Sequence, residues 1–190
     1  MRSIAIIVAS CTLVTFAGTA TAQKPAGARR VSATLGLSKG AGALRCSFCT
    51  GEGKGGLAGM IGVETGFRRG VSLGVEANWW VHSGGGSTRS LLAVLPVMHF
   101  HTAPSSPLFL KTGLGVGRFS ASSDEEELHT TAVSGLLGAG YEVRLSNAKV
   151  LVPYVSWMYG GAGTMRLNGA RVTSLGGLSL FQYGLALSTR

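Results

Sequence analysis

The sequence lacks any run of about 20 consecutive apolar residues, which is the length that a helix needs to cross a bilayer. Charged residues are also scarce, at 13% of the 190 residues, whereas glycine reaches 30. The mean hydropathy is nevertheless positive, at +0.32. We therefore expect no membrane-spanning helix. The composition is instead that of a single domain in which half of every strand is apolar, as in a membrane β-barrel.

A cluster of basic residues is missing as well. Lys and Arg outnumber Asp and Glu by 17 to 8, which gives a formal net charge of +9, but these residues stand singly, at predicted turns and strand ends. A nucleic-acid interface needs a concentrated basic patch or stripe. We therefore expect no nucleic-acid partner, and we expect the positive charges to lie near anionic lipid headgroups.

The stretch from Leu57 to Val81 has the clearest pattern in the chain. Apolar residues alternate with small or polar ones on both sides of a turn at residues 68–70, which predicts a β-hairpin. Each arm has the length of about eleven residues that a tilted strand needs to cross a bilayer. The polar face consists mostly of small residues, and such a face suits the inside of a narrow barrel whose apolar face contacts lipid.

The same alternation recurs along the chain and predicts eight strands. The expected strands are residues 31–37, 57–67, 71–81, 90–101, 108–119, 131–145, 150–159 and 172–187. Short turns follow the second, fourth and sixth strands, whereas longer loops follow the first, third, fifth and seventh, as in outer-membrane barrels with short periplasmic turns. The predicted fold is therefore all-β, an eight-stranded antiparallel up-and-down transmembrane β-barrel with both termini in the periplasm.

The N-terminal residues have the features of a secretory signal. Residues 1–22 combine Arg2, an apolar core and a small-residue cleavage site ending at Ala22, so we expect a cleaved signal peptide. A weak lipobox-like sequence precedes Cys11, but the apolar core continues beyond it, which does not favour lipidation. Residues 23–30 form a short lead-in, and residues 31–190 form the predicted barrel domain.

Aromatic residues cluster near both ends of the predicted strands, where amphipathic rings lie at the level of lipid headgroups. We predict two aromatic girdles from this placement. The expected girdle residues are Phe67, Phe100, Phe109 and Tyr141 at the periplasmic ends, and Trp79, Trp80, Phe119, Trp157 and Tyr159 at the outer ends.

With its signal, eight alternating segments, loop asymmetry and girdles, the chain resembles the small outer-membrane barrels of the OmpA/OmpX-like group over roughly residues 31–188. The resemblance implies an outer-membrane location, contact with outer-membrane lipids, and assembly by periplasmic chaperones and the barrel-assembly machinery. It also implies a monomer without a cofactor. One departure is the C-terminus, because such barrels usually end on an aromatic residue and this chain ends Leu187-Ser188-Thr189-Arg190.

Five charged residues fall on the predicted inner face: Glu64, Glu76, Lys111, Glu142 and, near the periplasmic rim, Arg144. Charges inside a low-dielectric barrel must be paired or solvated. We therefore predict an interior salt-bridge network that plugs the barrel, with Lys111 in contact with at least one carboxylate. The alternative is a narrow ion-conducting path gated by these pairs.

Cys46 and Cys49 are the two cysteines that remain after signal cleavage. In an oxidising exterior a disulfide between them is expected, at the tip of the first extracellular connection. A thioredoxin-like role would need a βαβ context, and zinc would need two further ligands, so no metal site is predicted there.

His99 and His101 raise the question of an enzyme, because some barrels of this group resemble lipid A acyl hydrolases. Such chemistry needs a nucleophile, a base and an orienting acid. Near the histidines the sequence offers only Ser105 and Ser106, without an adjacent acid. The acidic residues 124–127 could bind a divalent cation, although a solvated loop is the simpler interpretation.

We therefore predict a non-enzymatic outer-membrane barrel with a structural or surface-interaction role. A small ion-conducting pore or a lipid A-modifying hydrolase are the alternatives. A soluble lipocalin-type barrel is not favoured, since it would place apolar residues inside and long charged ones outside.

Overall fold

The computed structural model describes residues 31–46, 52–103, 106–123 and 126–189. Within these ranges the fold is all-β. The strands are β1 (Val31–Arg45), β2 (Lys54–Arg68), β3 (Val71–Gly84), β4 (Ser87–His101), β5 (Leu108–Ser122), β6 (Glu127–Tyr141), β7 (Val143–Arg144), β8 (Lys149–Leu167) and β9 (Ala170–Thr189). The predicted signal peptide and lead-in, residues 1–22 and 23–30, lie outside the described residues. No helix in the described ranges has the length and apolarity that a membrane span requires.

The strands form one closed antiparallel barrel. Consecutive strands pair from β1 to β6 and from β7 to β9, β9 pairs with β1, and β6 pairs with β8. The two-residue β7 continues β6 along the same partner β8, so the barrel wall has eight strands. The predicted eight-stranded antiparallel barrel is confirmed.

The stagger of the barrel follows from its strand register. Starting at Val31 and passing from each residue to its partner on the next strand, the path returns to β1 at Ala41, 10 residues further along. A stagger of this size tilts the strands by about 40° from the barrel axis. Residues at equal height on neighbouring strands are therefore offset from the ladder pairing by a little over one position per strand, and the offset accumulates around the barrel.

The two ends of the barrel differ. The lower end, as we call it, carries Val31 and Thr189, and the upper end carries the two-residue turns Gly85–Gly86 and Asn168–Gly169. All four turn residues have positive φ, between 49° and 82°. A two-residue turn of this kind matches the twist of the flanking strands, and Asn-Gly and Gly-Gly are the sequences that best adopt it.

The strands extend further at the upper end than the sequence predicts. Residues 82–89 and 160–171 were expected to be loops, yet the pairs His82↔Arg89 and Arg166↔Arg171 belong to continuous ladders. β1 likewise continues to Arg45, into the predicted first loop. Where neither face of a strand is apolar, hydrophobic alternation no longer distinguishes a strand from a loop. The predicted asymmetry of loop lengths is therefore wrong for these hairpins, which are long and end in tight turns.

The outer surface is a broad apolar belt. Large apolar side chains there are exposed, and they include Leu35, Ile61, Val75, Leu114, Val116, Leu137, Val155 and Leu185. Val75 is 53% exposed, as the alternation in β3 predicts. Outward apolar residues are what a lipid-facing barrel surface requires.

The interior is less uniform than the sequence predicts. Its upper half holds an apolar cluster that we call the upper plug, formed by Leu44, Ala58, Trp80, Leu91, Ala93, Leu95, Val97, Phe119, Ala132, Leu136, Met158, Met165, Leu178 and Leu180. A smaller apolar cluster near the lower end contains Met60, Phe109, Val150, Val152, Tyr154 and Ala186. The expectation of a mostly small and polar interior is therefore wrong above the middle of the barrel. β4 contributes much of the plug because it is apolar on both faces.

Candidate functional site in the barrel interior

The centre of the interior is an ion pair between β5 and β3. Lys111 Nζ lies 2.8 Å from Glu76 Oε1 and 2.9 Å from Glu76 Oε2, and both side chains are only 2% exposed. The ammonium group also lies 5.2 Å from the centroid of the Tyr154 ring and 3.7 Å from Met60 Sδ. The expected contact between Lys111 and an interior carboxylate is present, and it is made with Glu76.

A chain of polar side chains extends this pair across the lumen. Asn78 Nδ2 donates to Glu76 Oε1 over 2.8 Å, and Gln182 Nε2 donates to Asn78 Oδ1. The Gln182 amide also donates to Ser156 Oγ over 3.0 Å. Glu76, Asn78, Ser156 and Gln182 are all buried. Because buried charges are tolerated only when paired and hydrogen-bonded, this chain is what allows a carboxylate and an ammonium to lie in the middle of the barrel.

A second polar group lies below it, around Glu64 on β2. Its carboxylate accepts hydrogen bonds from Ser72 Oγ at 2.8 Å and Ser32 Oγ at 3.1 Å, and His99 Nδ1 lies 2.8 Å from Oε2. The His99 ring stacks on Phe109 with a centroid distance of 5.0 Å. His99 Nε2 is buried and has no hydrogen-bond partner among the described residues. The acid that the sequence did not place beside His99 is therefore supplied by a different strand.

His101 and Glu142 form a third group at the lower rim. His101 Nε2 lies 3.3 Å from Glu142 Oε1. Arg144 is exposed and lines the open mouth with Glu64 and Glu142, outside the buried group around Lys111. The structure thus divides the predicted charge network into separate pairs. Lys111 pairs with Glu76, whereas Glu64 and Glu142 each contact a histidine.

Among the described residues, the lumen opens at the lower end and is filled by apolar side chains in its upper half. An open vestibule of about 710 Å³ at the lower end reaches inward to Glu64 and Glu142. The same two residues line a small cavity of about 30 Å³ further in, next to Lys111 and Tyr154. A cavity of this size holds about one or two waters. Beyond it lie the Lys111–Glu76 pair and then the upper plug, in which the rings of Trp80 and Phe119 stack 6.4 Å apart.

Three of the predicted girdle residues face the wrong way for that role. Trp80, Phe119 and Phe109 are 0%, 2% and 6% exposed, respectively, and all lie inside the barrel. Trp80 lies an even number of residues from the buried Glu76 on β3, and Phe109 and Phe119 lie an even number of residues from the buried Lys111 on β5. Each ring therefore points to the same side of its strand as that interior residue. The girdle prediction considered how close each residue lies to the end of its strand, but not which side of the strand the residue faces. The other predicted girdle residues are exposed or partly exposed on the outer surface: Phe67, Trp79, Phe100, Tyr141, Trp157 and Tyr159.

The geometry at His99 does not form a nucleophile–base pair among the described residues. Ser72 and His99 both contact Glu64, and no hydroxyl group is hydrogen-bonded to the His99 ring in the described part of the chain. Ser106 bonds to Thr102, and Ser105 lies outside the described residues. A hydrolase would need a hydroxyl within hydrogen-bond reach of the base.

The remaining predicted site residues are only partly described. Cys46 is disulfide-bonded, but Cys49 lies outside the described residues, so the pairing of these two cysteines stays a prediction. Residues 124–125 of the acidic loop also lie outside them, while Glu127 contacts His129 at 2.8 Å. Within the described ranges, no group of three or more His, Cys, Asp or Glu residues is arranged to hold a metal ion.

Sequence reasoning missed several members of the interior site. Gln182, Ser156 and Tyr154 were not assigned a role, although each lies on the buried parity of β8 or β9. The available signal was an uncharged polar residue that alternates along its strand with lipid-facing residues. It was weak because the sequence does not show which polar residues meet across the lumen.

The geometry defines a closed, lipid-compatible barrel of eight strands, the architecture of small outer-membrane barrel proteins. No protein-family model matches the chain, and no curated protein matches it either. Among solved structures it is similar to Neisserial surface protein A, with a TM-score of 0.58, 10% identity, and coverage of 83% of this chain and 96% of that one. It is also similar to Ail, the attachment invasion locus protein of Yersinia pestis, with a TM-score of 0.52, 12% identity, and coverage of 82% and 97%. At these identities the similarity establishes the fold.

Proposed function

We propose that this chain is a monomeric, non-enzymatic outer-membrane β-barrel protein with a structural or surface-interaction role. The observation that carries the proposal is the contrast between the two sides of the wall. The outer side is an apolar belt, whereas the inner side, in its upper half, is packed with the described side chains of the upper plug. A barrel of this kind is stable in lipid without providing a path for solutes.

The proposal places both termini and the lower vestibule in the periplasm and the long upper hairpins outside the cell. Outer-membrane lipids are then its surroundings, and periplasmic chaperones and the barrel-assembly machinery its assembly partners. Of the two similar structures, one is named a surface protein and the other an attachment invasion locus protein. Because a fold does not determine function, these names support the surface role only by analogy.

Cell fractionation and gel mobility test the location. The full chain, expressed in a Gram-negative host, should fractionate with outer membranes and should migrate differently on gels with and without boiling. A chain without residues 1–22 is the control and should remain in the cytoplasm. Recovery of the full chain as soluble periplasmic protein would contradict the proposal.

Single cysteines introduced at the two ends test the orientation. Ser83 lies at the upper end and Ala148 in the lower turn, and both are exposed. On intact cells a membrane-impermeant maleimide should label Ser83→Cys and should not label Ala148→Cys. The reverse labelling would invert the proposed topology.

Direct measurements distinguish the proposed function from two alternative functions. An ion-conducting pore would show single-channel currents in planar bilayers. A lipid A hydrolase would change the lipid A mass spectrum of the host, and replacement of His99 by Ala would remove that change. We expect neither signal from the wild-type protein.

A further inference from the structure

Lys39 is a cation on the outer face of the barrel wall. It lies on β1 between the outward residues Leu37 and Ala41, and it is exposed. Its partners in the ladder are Leu57 on β2 and Tyr183 on β9. No carboxylate among the described residues contacts its ammonium group. A cation on a lipid-facing surface is tolerated where it can reach the lipid headgroups.

An apolar groove of about 570 Å³ lies next to this cation. Ala41 and Gly55 form its floor as direct partners in the ladder, and Leu57, Phe181 and Tyr183 form its sides. The floor is open at Gly55, because a side chain there would meet nothing within 4 Å. This volume lies within the range of ligand-binding clefts.

The position of Lys39 along the barrel indicates the membrane leaflet. Its partner Leu57 lies close to Lys54, where β2 begins at the upper end. Leu57 pairs in turn with Val81 on β3, which lies two residues closer to the upper end than the outward-facing Trp79. Lys39 is therefore near the upper aromatic residues, where the long stem of a lysine can follow the apolar surface and place its charge at headgroup level.

We propose that Lys39 and this groove bind a phosphate-bearing acyl lipid of the outer leaflet, of the lipid A class. The ammonium group contacts the phosphate, and an acyl chain occupies the groove over Ala41 and Gly55. This inference rests on the proposed outer-membrane location. It accounts for the coincidence, on the lipid-facing surface, of an apolar groove and a cation that has no carboxylate partner among the described residues.

Lipid titration of the purified protein tests the site. The full-length mature protein in a non-ionic detergent is titrated with lipid A, and bound lipid is counted by native mass spectrometry. Lys39→Met should weaken binding about fivefold, which is the usual contribution of one basic residue to anionic-lipid binding. Gly55→Leu places an apolar side chain in the groove from a position where an added Cβ atom meets nothing within 4 Å, and it should weaken binding as well.

Two controls match these variants. Lys54→Gln removes a cation from the same hairpin, but Lys54 already contacts Glu52 at 3.1 Å, so lipid A binding should not change. Dephosphorylated lipid A should bind equally to the wild type and to Lys39→Met, and free inorganic phosphate should not compete with lipid A.

The proposal is overturned by any of three results. These are unchanged binding in Lys39→Met, unchanged binding in Gly55→Leu, or an equal loss in Lys54→Gln, which would indicate diffuse attraction. Outer-membrane fractionation of the same variants is measured in parallel. If the wild type reaches the outer membrane and Lys39→Met binds lipid A normally, the lipid site is wrong and the proposed location stands.

Discussion

At the scale of single residues, the polar centre of the barrel depends on one ion pair. Lys111 and Glu76 are both almost completely buried, and the Tyr154 ring, Asn78 and Gln182 complete their surroundings. Removing one partner of a buried pair leaves the other charge without compensation, whereas removing both charges can be nearly neutral. Single and double substitutions should therefore have very different effects.

Lys111→Met should destabilise the barrel by about 3–5 kcal/mol, because Glu76 would remain buried without its cation. The double variant Lys111→Met/Glu76→Gln should recover most of this loss. Urea unfolding in lipid vesicles measures both. A loss of only about 0–1 kcal/mol in the single variant would be the value of a solvated pair, and it would mean that the lumen around Lys111 is wet.

A glycine at position 42 makes room for the indole ring of Trp80. A Cβ atom added at Gly42 would lie 2.6 Å from Trp80 Cε3, and the ring is completely buried. Gly42→Ala should therefore cost about 1–3 kcal/mol by overpacking. Gly55→Ala on the neighbouring strand is the matched control, since nothing lies within 4 Å of the added atom. Equal unfolding free energies for the two variants would contradict this packing.

At the scale of the strand, each element has one face for lipid and one for the lumen. β3 illustrates this, since Val75 is outward and 53% exposed while the next residue, Glu76, is 1% exposed. A charged side chain on the lipid-facing side costs most at the bilayer midplane and little near its boundaries. The depth of a substitution along one strand should therefore determine its cost.

Val75→Arg should destabilise the barrel by about 2–4 kcal/mol, whereas Val81→Arg, on the same face near the upper end, should cost about 0–1 kcal/mol. Equilibrium unfolding in lipid vesicles of defined thickness measures the difference. If Val75→Arg lowers the free energy of unfolding no more than Val81→Arg does, this face of β3 does not lie in lipid.

At the scale of the whole molecule, the interior is asymmetric. The lower end opens into a vestibule that reaches Glu64 and Glu142, and the upper half is filled by the upper plug. For a closed barrel we therefore expect ions to enter from the lower end only. This asymmetry is what separates a closed barrel from a narrow pore of the same strand number.

The wild-type protein should give no single-channel current in planar bilayers. Trp80→Ala removes the largest side chain of the upper plug, which should cost about 3–5 kcal/mol and should produce small, fluctuating currents. Trp157→Ala, on the outer surface, is the control and should stay silent. Steady currents in the wild type would favour the ion-conducting alternative.

The sequence by itself determined the strand number, the antiparallel order and the outward face of strands such as β3. These follow from local alternation, because successive side chains of a strand point to opposite sides. Parity also places Glu76 and Lys111 on the inside. Applied consistently, the same rule would have moved Trp80, Phe109 and Phe119 from the girdles to the interior.

Only the tertiary structure decided which interior groups meet. Lys111 could have reached any of three carboxylates, and the stagger of the closed barrel brings it to Glu76, while Glu64 and Glu142 contact His99 and His101 instead. The length of the upper hairpins was likewise decided by pairing between strands, since residues such as His82 and Arg89 show no apolar alternation. Contacts across a lumen depend on closure and stagger, and these are properties of the whole sheet that no single segment contains.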